Sequence, residues 1–234
     1  MAKASKRFRK SGELVDSENK YSLDQALEII GKYSGGFKTK FDESVDVVIR
    51  LGVDPKQTDQ MVRGAVAMPN GLGKEVRVAV FAKPERVKEA KEAGADLYGS
   101  DEFIEIVKGG KIDFDVCIAT PDMMGQLSKL GKVLGPKGLM PNPKLGTVTE
   151  DIKGAVKSVK AGQVEYKTEK SGIVHAAIGK VSFSAKALKE NILALYDAVL
   201  NAKPSGAKGN YIKNFYLTPS MGPSIRVDLD KIVG

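Results

Sequence analysis

Val45, Val47, Ile49 and Leu51 are apolar at every second position. Successive residues of a strand point to opposite faces, so this spacing predicts a half-buried strand whose four bulky side chains face a core. Lys40, Asp42, Ser44, Asp46 and Arg50 then fall on the other face. Phe41 has the parity of the core residues but stands beyond their run, among Lys38 and Lys40. Two readings follow: the ring caps the core, or it is a stacking platform at the mouth of the strand.

The same rhythm returns near the other end of the chain. Val164, Tyr166 and Thr168 share one strand face, with Glu165 and Lys167 on the other. Lys170-Ser171-Gly172 suits a hairpin turn before a returning strand over 173–178. Strands are also expected at 211–217 and from Ile225 through Leu229, around the tight loop Thr218 to Ser224. Two helices belong with these strands. Ser22 and Gln25 fit a capping box ahead of Leu23, Ala26, Leu27 and Ile30. Ser184 caps a long helix with Leu188, Ile192, Leu195 and Val199 on one face.

The middle of the chain has another rhythm. The stretch Met68 to Glu75, MPNGLGKE, marks a crossing. After it, 76–82 and 114–119 are near-continuous apolar strands, the kind buried on both faces. Helices are expected from Pro84 to the Gly94 region, from Ser100 through Phe103, Ile106 and Val107, and over 121–130. Gly and Pro are too dense for helix or central strand over 131–149, and Thr149 is expected to cap a short helix through Ile152, Val156 and Val159. Residues 56–67 read as irregular or a short helix. Strand, helix, helix, strand, helix is the order of a small parallel α/β sheet. The architecture expected is α/β (α+β) with two domains: a discontinuous one of residues 1–67 plus 160–234, and a second inserted at 68–159.

Charge divides along the same lines. The chain has 37 Lys and Arg against 29 Asp and Glu, a net charge of +8. The first piece holds 12 basic and 10 acidic residues, the insert 14 and 13, and the last piece 11 and 6. All but one of the net positive charges thus belong to the outer domain, where an acidic partner such as nucleic acid would be met. Lys3, Lys6, Arg7, Arg9 and Lys10 make the first 12 residues a basic stretch with no acid, read either as a solvated tail or as an arm for phosphates.

Several chemistries find no support. One Cys (Cys117) and one His (His175) allow neither an internal disulfide nor a Cys/His metal set. No nucleophile stands near His175 in sequence, and Cys117 reads as a small buried hydrophobe. Gly131 to Gly138 fails the P-loop template, with Pro136 where the second Gly is needed. Gly71 and Gly73 precede their strand instead of following it, so they make no dinucleotide fingerprint. No catalytic residue, metal or cofactor is expected. Without an apolar run for a secretory signal or a membrane span, a soluble cytoplasmic protein is expected.

Phe41 to Gly52 (FDESVDVVIRLG), Asp59 to Gly64 (DQMVRG), the run 131–149, Lys160 to Val164 (KAGQV), Gly172 to Lys180 (GIVHAAIGK) and Ser220 to Ser224 (SMGPS) together resemble the bacterial ribosomal protein L-one family, the mobile stalk protein of the large ribosomal subunit. The resemblance covers nearly the whole chain. It implies an outer split β-α-β domain and an inserted Rossmann-like one. It further implies binding to large-subunit rRNA, assistance to tRNA leaving the exit site, repression of the protein's own operon through its mRNA, and a monomer outside the ribosome. The family's RNA-contacting positions fall here on Lys40, Phe41, Ser44, Ser220, Met221 and Gly222, with Lys167 and His175 added. One departure is Thr218-Pro219-Ser220, where the family pattern has a run of threonines before Met-Gly. Ser220 keeps a hydroxyl, but Pro219 removes a backbone donor. In the mechanism expected, Gly222 lets the loop backbone approach RNA, Ser44 and Ser220 offer hydroxyls, Phe41 and Met221 exclude water, and Lys40 and Lys167 meet phosphates. Pro69, Gly71, Gly73 and Gly162 are the hinge candidates. The rival reading is an α/β enzyme for a phosphorylated small molecule, acting through the insert.

Overall fold

A computed structural model describes residues 5–37, 39–110, 112–207 and 209–232, apart from the side chains of Thr58, Asp101 and Glu102. Lys3 and Lys38 lie outside this set. In chain order the elements are α1 (Lys6–Gly12), α2 (Leu23–Gly36), β1 (Ser44–Leu51), β2 (Arg63–Ala67), β3 (Val78–Phe81), α3 (Pro84–Glu92), β4 (Leu97–Gly99), α4 (Asp101–Lys108), β5 (Val116–Ala119), α5 (Met124–Leu127), α6 (Gly131–Leu134), α7 (Ile152–Lys160), β6 (Gln163–Lys167), β7 (Ile173–Lys180), α8 (Ala185–Asn201), β8 (Ile212–Pro219) and β9 (Ile225–Val227). They form two compact units, one of residues 1–73 with 164–234 and the other of residues 74–163. No described helix is long and apolar enough to cross a membrane.

In the first unit a four-stranded antiparallel sheet runs β7-β1-β8-β9. Val45, Val47, Ile49 and Leu51 of β1 are buried, together with Leu23, Ala26, Leu27 and Ile30 of α2 and Leu188, Ile192, Leu195 and Val199 of α8. The two helices thus cover one face of the sheet and leave the other open. Their caps form as the sequence dictates. Ser22 accepts from the Gln25 amide while the Gln25 side chain accepts from the Ser22 amide, and Ser184 accepts from the Ala187 amide. Asn191 is the one polar side chain of α8 with no exposure, and it is fully used. It donates to the Ile178 carbonyl at 2.7 Å and the Gly71 carbonyl at 3.0 Å, and accepts from the Asn70 amide at 3.1 Å.

That junction moves one expected boundary. The first unit does not end at residue 67: Met68 is buried in its core, and Asn70 and Gly71 are fastened to Asn191. Residues 56–67, expected to be irregular or helical, include β2, which pairs with β6 in a separate two-stranded sheet. Lys170 to Gly172 does turn the chain, but β6 and β7 go mainly to different sheets, and only Thr168 and Val174 bridge them. Residues 6–12 form a helix capped by Ser5, where a bare tail or arm was expected.

The second unit is a parallel sheet, β4-β3-β5. Alternate residues of β3 enter two cores. Ala79 and Phe81 join Val107, Phe114, Cys117 and Leu127, while Val78 and Val80 join Ala90, Ile152, Val156 and Val159. Burial on both faces explains the unbroken apolar runs. The buried stripe of α4 is Phe103, Ile104 and Val107; Ile106 is 51% exposed instead. β4 escaped the sequence reading, and residues 121–134 break into short α and 3-10 turns that continue past Gly131. Asp151, whose side chain accepts from the Gly154 amide, caps α7 in place of Thr149. Burial pushes the Cys117 thiol up, which keeps it protonated and unreactive.

Replacing Asn191 by Leu would leave two carbonyls and one amide without their buried partner. The Ile178 carbonyl is the buried one of the three; at about 1–3 kcal/mol for a buried group left unsatisfied, Asn191→Leu should lower the unfolding free energy by about that much, read as an earlier urea midpoint.

Candidate nucleic-acid interface

One edge of the open sheet joins residues 176 positions apart. The Ser220 amide donates to the Ser44 carbonyl at 3.0 Å, and the Ser44 amide donates to Ser220 Oγ at 3.1 Å. Ser220 Oγ donates in turn to the Ser44 carbonyl at 3.2 Å. The hydroxyl of Ser220 therefore gives its proton to the Ser44 backbone. Ser44 differs: its Oγ accepts from Lys180 Nζ at 3.0 Å, which leaves its own O–H as a donor.

Lys180 reaches that point through a bulge. The ladder pairs Asp46 with Ala177, then skips so that Val45 meets Gly179 and Ser44 meets Lys180. An unbroken ladder would set Gly179 opposite Ser44. The extra residue re-aims the strand end, as bulges do. Lys180 Nζ also donates to the Asp42 carbonyl at 3.3 Å, tying the approach to β1 in place. Sequence reasoning quoted this lysine inside GIVHAAIGK without singling it out; only the bulge reveals its role.

Phe41 is 56% exposed and Met221 48%, so neither caps the core. Phe41 helps line a cleft of about 210 Å³ with Tyr33, Phe37, Thr39, Asp42 and Glu43. Tyr33 and Phe37 stack at 5.8 Å on its helical side. Lys40 is exposed beside Phe41. The turn at Ser220 to Gly222 is closed by the Gly222 amide donating to the Pro219 carbonyl at 3.1 Å. Because Ser44 and Ser220 exchange bonds, Pro219 directs its nitrogen away from β1, and its missing donor costs that ladder nothing. Gly222 also has a reason inside the fold. A Cβ there would run into Pro219 and come within 3.0 Å of the Tyr33 ring, so the bare glycine lets the turn pack inward on α2.

Glu43 lies behind this turn and is 3% exposed. Its carboxylate accepts from the Tyr33 hydroxyl at 3.0 and 3.2 Å and from the Met221 amide at 2.9 Å. Burial, then the Glu43 carboxylate, push the Tyr33 phenol up, while Arg7 of α1 works against them.

Two expected contacts stand apart. His175 is exposed on β7 opposite Val48, four residues along β1 from Ser44, or roughly 13 Å at strand rise. Its Nε2 is 3.7 Å from Glu169 Oε1. Lys167 lines a separate cleft with Pro55, Lys56 and Met61, beyond the far end of β1. Among the described residues, no cluster of His, Cys, Asp and Glu could hold a metal.

The profile of the family described as "Ribosomal protein L1p/L10e family" matches residues 30–223. The chain belongs to that family. The match takes in most of the chain and every candidate contact from Lys40 to Gly222, and leaves α1 and β9 outside. The protein is therefore a constituent of the large ribosomal subunit in the cytoplasm, from a family of structural proteins that bind rRNA and are not enzymes.

Asp46, one turn of the pleat from Ser44, gives this face a pH signature. Burial pushes its carboxyl up, with His175 and Lys180 working in the opposite sense. A carboxyl raised in the fold costs nothing while protonated, and its penalty grows as pH climbs from the unfolded range through the raised value. Asp46→Asn should therefore be more stable than wild type at pH 7. The gap should close below about pH 4, as followed by urea unfolding across pH.

Proposed function

We propose that the edge holding Lys40, Phe41, Ser44, Lys180 and the turn Ser220 to Gly222 is the face this protein presents to large-subunit rRNA, within a discontinuous RNA-binding domain built from both chain ends. The carrying observation is the Ser44–Ser220 junction. It fixes one free hydroxyl donor, one lysine and two exposed apolar side chains on the same rigid edge. A hydroxyl whose proton is uncommitted suits a 2′-OH or a base edge, Phe41 and Met221 exclude water around it, and Lys40 and Lys180 bear on phosphate. Lys167 and His175 would extend this contact along the sheet as outlying positions.

Three finer roles rest on the family resemblance alone. These are assistance to tRNA release at the exit site, repression of the protein's own operon through an mRNA that imitates the rRNA site, and a monomeric state off the ribosome. For the first, one unit would move against the other at the crossings after Gly73 and Gln163. Gly73 and Gly162 adjoin these crossings and have positive φ, of 64° and 104°. Pro69 and Gly71 lie within the first unit, beside the Asn191 fastening, and are weaker candidates.

The test is filter binding of the full chain to a structured large-subunit rRNA fragment. Tight binding is expected, with much weaker binding to duplex DNA and affinity that falls with salt as counterions are released. Phe41→Ala should weaken specific binding by roughly tenfold, within the ~1–3 kcal/mol typical of lost aromatic contacts to bases. Gly222→Ala, which drives a methyl into Pro219 and Tyr33, should weaken it as well. Wild-type affinity in both variants would refute the proposed edge. An operon-leader transcript that failed to compete for the same protein would refute the shared-site reading.

A further inference from the structure

We propose that Glu43 is a positioning residue for RNA recognition: its buried carboxylate holds the Met221 amide and the Tyr33 hydroxyl, and so sets the shape of the turn that carries Ser220, Met221 and Gly222. The inference rests on reading that edge as the RNA face.

Glu43 has the strand parity of Val45 and Val47, so it stands where β1 faces inward. A valine or leucine would be the cheaper occupant, because a carboxylate taken from water must recover its solvation from partners. No Lys or Arg pairs with it among the described residues. Its partners are instead the two groups that frame the turn. The Tyr33 hydroxyl comes from α2, and the Met221 amide comes from the turn itself. Charge-assisted bonds of this kind are stronger and more directional than neutral ones.

The geometry links both sides of the interface through adjacent residues. Ser44 holds Ser220 from the front of β1, and Glu43 holds Met221 from behind. Gly222 closes against the ring of the same Tyr33. With the carboxylate gone, the Met221 amide would be left part-buried without a partner, and the turn would relax toward water. Met221 and the edge would then lose the fixed arrangement that specific recognition needs, while the surface lysines would be untouched.

This separation of effects supplies the test. In full-length protein, Glu43→Met keeps the shape of the side chain and removes both acceptors. Affinity for the structured rRNA fragment should drop at least tenfold, with affinity for an unstructured RNA of equal length unchanged. Glu43→Gln should rescue. Its amide oxygen can accept from Met221 while its NH2 donates to the Tyr33 oxygen. Hydrogen exchange read by NMR gives a second measurement, independent of RNA and of any variant's folding: the Met221 amide should be protected in the wild type. Fast, unprotected exchange at Met221 in the wild type would overturn the proposal. So would specific affinity within twofold of wild type in Glu43→Met, or an equal loss in Glu43→Gln. Phe41→Ala, measured beside them, tells the two failures apart. If it weakens binding while Glu43→Met does not, the RNA face stands and only the positioning role falls.

Discussion

Strand β1 is hydrogen-bonded on both sides, to β7 over Ser44–Arg50 and to β8 over Val45–Leu51. The main sheet of the first unit depends on these two ladders. They bring residues 173–180 and 212–219 onto a strand laid down near the start of the chain. They also turn four alternating apolar side chains into the floor on which α2 and α8 pack. The candidate interface is the end of the same construction. Where β1 begins and β8 ends, the amide and the hydroxyl of Ser220 continue the pairing with the Ser44 backbone into the turn. A binding edge formed this way inherits the rigidity of the sheet, because loosening it means unzipping the ladder from its end.

Much of this was legible because period and burial are coupled. The 45, 47, 49, 51 alternation, the capping box at Ser22 and Gln25, and the stripe on α8 each had one stable solution, and the fold adopts it. The continuous apolar runs gave the parallel sheet for the same reason. Short elements were less visible. β2 and β4 have five and three residues, too few for a rhythm to emerge, and each is specified by a partner far away or by the sheet edge it joins. Ile106 misled because a helical stripe three residues wide admits either neighbour, and Ile104 took the inner place.

The interface shows a sharper divide. The family resemblance implied that Ser44, Ser220 and Met221 belong to one site, but not the direction of each bond. Nothing in the sequence showed that the Ser220 hydroxyl gives its proton to the Ser44 carbonyl. At Gly222 the sequence carried no sign that Pro219 and the Tyr33 ring leave no room for a Cβ. Lys180 depends on a one-residue bulge, which no periodicity announces. An acid of core parity at position 43 is the one signal in the sequence for the buried carboxylate. The family match shows what the chain belongs to, and the hydrogen bonds show how the side chains at this end of the sheet are held.

The order of the strands also has a consequence in time. β1 leaves the ribosome early, yet its two neighbours in the sheet begin only at Ile173 and Ile212. At about 5–20 residues per second, synthesis leaves that strand waiting on the order of ten seconds with both edges bare. Meanwhile residues 74–163, already contiguous, can condense by themselves. A nascent chain of this protein is thus a finished middle tethered to an unfinished beginning, and the apolar side of β1 is what a chaperone at the exit tunnel would have most reason to shelter.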